Sequence, residues 1–347
     1  MATTRAAPSE APSPLLTRLR QDGFVIIPSV LTRDELGTLR SAAARLTAVA
    51  RAGDWPHVRT VGKQFPPWDA SLVKKKQGEG GVGIWGVQHL LHPDLPVPQQ
   101  EDRAAFVRLY FHERLLRVAR EFLEIGDGDE DGEGDGKMTM ELCNMLVRPD
   151  AGWEEEEKEE EKGKEKKKKK KKKGFALRWH RDDIPWSATP EEETARLKRE
   201  GDRYVHTQWN LPLWDDDSLV VVPGSHKRAR TQAERDADPF DENLPGQVKV
   251  QLKAGDVVFY DNNILHRGVY DGEKERMTLH GSVGHVEGSQ ERARNVLQHG
   301  VGDWVDRCDF SVLGEGKERR TAEGMRRRLV QLGRENQGRD IGYSLEG

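Results

Sequence analysis

The stretch Gly174-Phe-Ala-Leu-Arg-Trp-His-Arg-Asp-Asp183 constrains this chain more than any other. It reads as a β-strand, in which side chains alternate faces. His180 and Asp182 therefore point one way, and Arg181 and Asp183 the other. An imidazole and a carboxylate side by side on one rigid wall supply two members of the facial triad that holds non-haem Fe(II). Spacing alone does not carry the argument, because His92-Pro93-Asp94 repeats it. There Pro93 removes a ladder donor and marks a surface turn rather than a central strand. The His180 copy gains meaning only if a second histidine and a co-substrate anchor follow it.

A chain of 347 residues is long enough for one large domain or two small ones. Its formal net charge of −4 conceals a run from Glu154 to Lys173 made of eleven Lys, eight Glu and one Gly. Without that local +3 the remainder stands at −7, which gives no electrostatic case for a nucleic-acid partner. The two cysteines, Cys143 and Cys308, are too few for a disulfide framework and fit a reducing compartment. No apolar run is long enough to span a bilayer, and the N-terminus lacks the charged-then-apolar pattern of a secretory signal. The expectation is a soluble, intracellular, cytoplasmic protein with no membrane partner. Nuclear import through the Lys166 to Lys173 block is the alternative.

Along the chain, residues 1–14 read as a disordered lead. Asp22 to Pro28 reads as a turn and short strand. Thr32 and Glu35 then form a capping box for a helix reaching about Ala48, with Leu36, Leu39, Ala43 and Leu46 on one face. Residues 52–100, rich in Gly, Pro and Trp, are expected to be irregular and to form part of a pocket lid. Glu101 to Glu124 reads as one amphipathic helix, Gly126 to Gly136 as an acidic loop, and Met138 to Val147 as a strand. Residues 150–173 read as a charged low-complexity insertion, a solvated loop or helix extended outward from an intact sheet. Strands follow at Tyr204 to Leu213, Ser218 to Val222, Val248 to Leu252, Asp256 to Tyr260 and Arg276 to Val283. Short strands with turn signals after a helical part suggest a mainly β fold with flanking helices around a jelly-roll, cupin-like core. One domain over residues 15–315 is expected, followed by a basic tail, 316–347, with a helix near Met325 to Leu332.

A histidine, His266, stands just past the Asp256 to Tyr260 strand, and Arg276 lies ten residues further on. If a hairpin joins them, they neighbour one another on adjacent strands, with the register left open. Chemistry gives Arg276 a purpose. A 2-oxoglutarate co-substrate chelates iron through its keto-acid end and needs a cation for its distal carboxylate. Arginine pairs bidentately with carboxylates and stays charged when buried. Thr278, on the same strand face, adds a hydroxyl.

These pieces resemble the phytanoyl-CoA dioxygenase family of Fe(II)/2-oxoglutarate oxygenases. The matching stretches are Asp22 to Pro28 before a capped helix, Trp179-His-Arg-Asp182, Ser218 to His226 with its Pro-Gly-Ser-His ending, and Gly255 to Tyr260 through His266 to Arg276. They run in the family's order over most of residues 15–290. The resemblance implies a double-stranded β-helix, with His180, Asp182 and His266 as iron ligands and Arg276 on the co-substrate. It also places Trp209 and Asn144 at the co-substrate pocket. The Glu/Lys run is foreign to the family pattern and residues 55–95 match only loosely, so the substrate does not carry over. The chain also ends without a peroxisomal tripeptide, which argues against phytanoyl-CoA itself.

The expected activity is a dioxygenase using Fe(II), 2-oxoglutarate and O2, with ascorbate as reductant. It would hydroxylate a small organic molecule and release succinate and CO2. Asp182 occupies the place a halide would need, which disfavours halogenation. Two alternatives remain. One is a non-catalytic jelly-roll metal-binding protein, the other an interaction protein acting through the Glu/Lys run.

Overall fold

The computed structural model describes residues 12–338 apart from 62, 67, 69–72, 74–82, 127–135, 150–153, 158–167, 172–173, 199–202, 273, 289–291, 294–295 and 297–298. Its strands are β1 (Phe24–Ile27), β2 (Val58–Thr60), β3 (Ile84–Val87), β4 (Met138–Val147), β5 (Glu154–Glu157), β6 (Lys168–Lys171) and β7 (Gly174–Ala176). They continue as β8 (His206–Pro212), β9 (Leu219–Val222), β10 (Val248–Lys249), β11 (Val257–Tyr260), β12 (Leu265–Asp271) and β13 (Met277–His285). The helices are α1 (Pro14–Asp22), α2 (Arg33–Arg51), α3 (Gln100–Tyr110), α4 (Glu113–Phe122), α5 (Pro190–Leu197), α6 (Gln232–Asp236) and α7 (Lys317–Glu335).

A seven-stranded sheet in the order β1-β11-β8-β13-β4-β3-β2 faces a four-stranded sheet in the order β10-β9-β12-β7. Every pairing within them is antiparallel. Between the sheets lies a cavity of about 640 Å³ lined from both sides. This is a double-stranded β-helix with helices on one flank.

Alternation along the central strands sets the layers. On β8 and β13 the residues Trp209, Leu211, Leu279 and Val283 turn outward. They share one core with Leu46 of α2, Phe106 of α3, Phe122 of α4 and Met325 of α7. The indole of Trp209 lies across β13 at Gly281, its register partner, where an added Cβ would sit 2.3 Å from the ring. Gln208, Asn210 and His280 turn the other way, into the cavity. A polar inward face and an apolar outward face place the chemistry inside and the helices outside.

Several elements differ from the sequence expectation. The helix expected over Glu101 to Glu124 is two, α3 and α4. They break where Phe111 packs on Phe310 (ring centroids 4.9 Å apart) and His112 caps α4, its Nδ1 accepting from Arg114 N. Their apolar periodicity runs on across the break because both pack on one core. The segment expected to be irregular contributes β2 and β3, which extend the large sheet. The ends of the Glu/Lys run pair as an antiparallel ribbon, β5 with β6, setting Glu154–Glu157 against Lys168–Lys171 in register. The expected lead (1–14) and acidic loop lie largely outside the described residues. The C-terminal helix α7 buries Ala322, Met325 and Leu329 in the main core. Among the described residues no helix is long and apolar enough to cross a membrane.

One buried carboxylate anchors β4. Glu141 accepts from Arg292 Nε at 2.7 Å and pairs with His206 Nδ1 at 2.8 Å. Burial alone would raise its pKa, but the Arg292 guanidinium and the His206 ring offset this and hold it at about 2. A carboxylate depressed from 4.5 to about 2 contributes stability that is present above pH 4.5 and lost as pH falls toward 2. Glu141→Gln should therefore flatten the acid limb of a Tm-versus-pH curve. It should also lower stability at pH 7 by roughly 3–5 kcal/mol, since Arg292 is left unpaired. A mutant with the wild-type acid limb would contradict this reading.

Candidate metal centre

The run carrying His180 is regular β-strand only over β7, three residues, shorter than its sequence pattern suggests. Beyond it the backbone still follows β12. Leu177 N donates to Gly268 O at 2.8 Å, and His180 and His266 exchange both backbone bonds, at 3.0 and 3.1 Å. Asp182 N closes on Asn262 O at 2.9 Å. The ladder is interrupted at Trp179, whose amide turns to Pro239 O and whose buried indole donates to Asp241 O. Directly opposed residues of an antiparallel pair project their side chains to the same face. His180 and His266 accordingly lie ring beside ring, with centroids 4.3 Å apart.

Their donor atoms converge with Asp182. Asp182 Oδ1 lies 3.7 Å from His180 Nε2 and 3.8 Å from His266 Nε2. Bonds of about 2.0–2.2 Å from imidazole and carboxylate to a first-row ion put neighbouring donors about 3 to 4 Å apart, so the set fits a single metal. Each Nδ1 lies 2.8 Å from a backbone carbonyl, Arg178 O for His180 and Ile264 O for His266. A carbonyl accepts only, so Nδ1 carries the hydrogen and the Nε2 lone pair faces the metal position. Gln208 Nε2 donates to Asp182 Oδ2 at 2.9 Å, leaving Oδ1 to point inward. Burial first, then the adjacent His266, pushes the His180 imidazole down to about 4. Burial would raise the Asp182 pKa, but the two imidazoles and Gln208 hold it below the ordinary range. Asp183 turns aside to Asn262.

Arg276 lines the same cavity, but not across a hairpin from His266. β12 pairs with β9 and β7, while β13 pairs with β8 and β4, so the chain crosses between sheets and the two residues meet over the cavity. The Arg276 side chain is 6% exposed, its Nε lies 3.2 Å from Asp216 Oδ2, and its guanidinium stacks 4.0 Å above Tyr270. Its Nη1 is buried with no hydrogen-bond partner. Thr278 donates its hydroxyl to Asp216 Oδ2 at 2.7 Å. It thus holds the acid that holds Arg276 and does not line the cavity, which corrects its expected direct role.

Trp209 also sits elsewhere than expected, on the outward face of β8 in the core. Its neighbours Gln208 and Asn210 are the residues that line the cavity. Asn144 is fully buried and falls between the lining residues Leu142 and Leu146 on β4. Its Oδ1 accepts from His89 N at 2.9 Å and its Nδ2 has no partner. The cavity also takes in His280, together with Arg59 and Tyr260, which the sequence reading missed. His280 meets Asn210 Oδ1 at 2.8 Å, and burial, with the charge of Arg59, pushes it down to about 3. The signal for Gln208, Asn210 and His280 was available: polar residues at every second position of two strands.

A family model described as phytanoyl-CoA dioxygenase matches residues 19–270. No curated protein matches the chain significantly. Among solved structures, EctD from S. alaskensis with 2-oxoglutarate and 5-hydroxyectoine is similar at 16% identity, covering 82% of this chain and 80% of that one, with a TM-score of 0.48. HygX from Streptomyces hygroscopicus with nickel and 2-oxoglutarate bound is similar at 17% identity, covering 79% and 87%, with a TM-score of 0.47. The alpha-ketoglutarate-dependent epimerase SnoN from nogalamycin biosynthesis is similar at 19% identity, covering 78% and 79%, with a TM-score of 0.43. At such scores the family assignment rests on the model match.

Gln208 orients a carboxylate without being a ligand candidate itself. Partners of this kind affect metal affinity by about 10–100-fold. Gln208→Leu should lower Fe(II) affinity by that factor in an equilibrium dialysis measurement while the fold is retained. Unchanged affinity would mean that Asp182 is oriented by something else.

Proposed function

The chain belongs to the phytanoyl-CoA dioxygenase family of 2-oxoglutarate-dependent non-haem iron enzymes, and from that premise we propose that His180, Asp182 and His266 hold its iron while Arg276 holds the co-substrate. The observation that carries the reading is the convergence of two imidazoles and one carboxylate, whose ligand atoms all lie within 4.8 Å of one another. They meet on the wall of a cavity that also receives a buried guanidinium.

The three ligands come from one side of the metal position, which leaves the cavity side for co-substrate, O2 and substrate. When bound, Fe(II) with 2-oxoglutarate supplies oxidative decarboxylation to succinate and CO2, coupled to oxidation of a substrate C–H bond. The chain's own residues orient the reactants. Both histidines are fixed through Nδ1, and Asp182 is fixed through Gln208. Arg276 is aimed by Asp216, which takes Nε, and by the Tyr270 ring beneath it. Its unpartnered Nη1 supports the distal-carboxylate role. Asn210 and His280, bonded to each other, form a neutral polar floor. The substrate is a small organic molecule, the reaction hydroxylation, and ascorbate the reductant that keeps iron ferrous. Asp182 fills the position a halide would take, so the reading favours hydroxylation over halogenation.

Succinate formation from 2-oxoglutarate with Fe(II), O2 and ascorbate should occur in wild type and vanish in His180→Ala and His266→Ala. Arg276→Lys tests the anchor separately. Loss of one charge-assisted hydrogen bond, about 1.5–3 kcal/mol, should raise the 2-oxoglutarate KM by roughly ten- to a hundredfold. Because Nε also pairs with Asp216, Tm should fall as well. A lowered Tm with an unaltered KM would make Arg276 a purely structural partner of Asp216.

A further inference from the structure

Three buried arginines line the cavity; Arg181 gives its Nη groups to the backbone carbonyls of Ser225, Asn263 and Arg228, while Arg276 and Arg59 share one aromatic wall and differ in what offsets their charge. Arg276 has Asp216. Arg59, on β2, is 8% exposed and lines the same cavity, yet no carboxylate among the described residues pairs with it. Its Nε has no hydrogen-bond partner. Its guanidinium lies 5.1 Å from the centroid of Trp85, whose ring meets that of Tyr270, the platform of Arg276.

The histidines around Arg59 do not neutralise it, and the carboxylate that favours its charge, Asp182, is not paired with it but held by Gln208 beside the two metal-ligating candidates. His89 and His299 are buried and His280 half-buried, and desolvation first, with Arg59's own charge contributing, pushes each of them down, so they are neutral. Burial lowers Arg59 itself only to about 10, which leaves it charged at neutral pH. A buried cation with no paired carboxylate is costly, and an arriving anion would complete it. The position is also built to hold that residue. Arg59 pairs in register with Gly86 of β3, and a Cβ at Gly86 would come within 3.2 Å of both Arg59 Cβ and Cδ. The absent side chain lets the Arg59 stem lie flat over β3 and present its head to the cavity beside Trp85. Leu142, Leu146 and Leu177 line the same cavity, Leu146 and Leu177 in one apolar cluster with Trp85.

We propose that Arg59 binds a carboxylate of the substrate, so that the enzyme oxidises an acid with an apolar body. A single planar cation with no carboxylate partner matches a planar anion of one charge, and the guanidinium fork pairs with it bidentately. The proposal rests on the reading above, in which 2-oxoglutarate uses iron and Arg276 and leaves Arg59 to the second ligand.

The test uses full-length protein loaded with Fe(II) and 2-oxoglutarate in the absence of oxygen. It is titrated calorimetrically with 3-phenylpropionate, octanoate and cyclohexanecarboxylate, and with the amide of each. The acid of at least one pair should bind roughly ten- to a hundredfold more tightly than its amide. Arg59→Gln should remove that preference and Arg59→Lys should keep part of it, while the 2-oxoglutarate Kd of both matches wild type. Because Arg59→Gln deletes an unpaired buried charge, its Tm should hold or rise, which separates lost recognition from lost fold. Acids that bind wild type no better than their amides, or do not bind, overturn the proposal. So does an Arg59→Gln that weakens 2-oxoglutarate instead of the acid. A wild type that takes up neither iron nor 2-oxoglutarate overturns this proposal together with the reading it rests on.

Discussion

The pair of backbone hydrogen bonds between His180 and His266 is the contact on which the rest of the site depends. It joins two distant stretches of chain at the point where regular pairing between β7 and β12 has already ended. Because opposed residues share a face, this single bridge sets two imidazoles side by side. Asp182 follows two residues later, tethered by its own amide to Asn262. Rotation of either ring is then limited by its Nδ1 bond to a local carbonyl. The donor set is preformed by backbone pairing, so a metal would have little chain left to order.

Around that bridge the two sheets do unequal work. The smaller one carries the metal-ligating candidates. The larger one turns polar residues inward and a continuous apolar surface outward to the helices. Such an interior is expensive unless each group is satisfied, and the structure offsets most of it locally: Glu141 by Arg292 and His206, Arg276 by Asp216, Asp182 by Gln208. Among the buried donors left without a partner are Arg276 Nη1 and Arg59 Nε, both of guanidiniums that line the cavity. An unsatisfied donor that faces a cavity is a place where a ligand can complete the structure.

Much of this was legible in the sequence, for identifiable reasons. The spacing in His180-x-Asp182 and the placement of His266 after a strand are local signals, and local signals survive without a structure. The double-stranded β-helix was readable from short strands and turns, and the α2 capping box from Thr32 and Glu35. What failed was nonlocal. Which sheet β12 and β13 join depends on partners far along the chain, so the expected hairpin between His266 and Arg276 did not form. Trp209 was placed at the co-substrate pocket by family resemblance, although alternation along His206-Thr-Gln-Trp-Asn put Gln208 and Asn210 inward and the indole outward. Arg59 was invisible because β2 is three residues long in a Gly-, Pro- and Trp-rich segment, where periodicity has no room to show.

The central claim is that one iron sits where Nε2 of His180, Oδ1 of Asp182 and Nε2 of His266 converge. Anomalous diffraction at the iron edge, from crystals grown with Fe(II) and 2-oxoglutarate without oxygen, tests it most directly. The account predicts one strong peak within bonding distance of those three atoms, with 2-oxoglutarate density running from it to Arg276. An iron peak on other residues, or crystals with full iron content and no peak at this position, would contradict it.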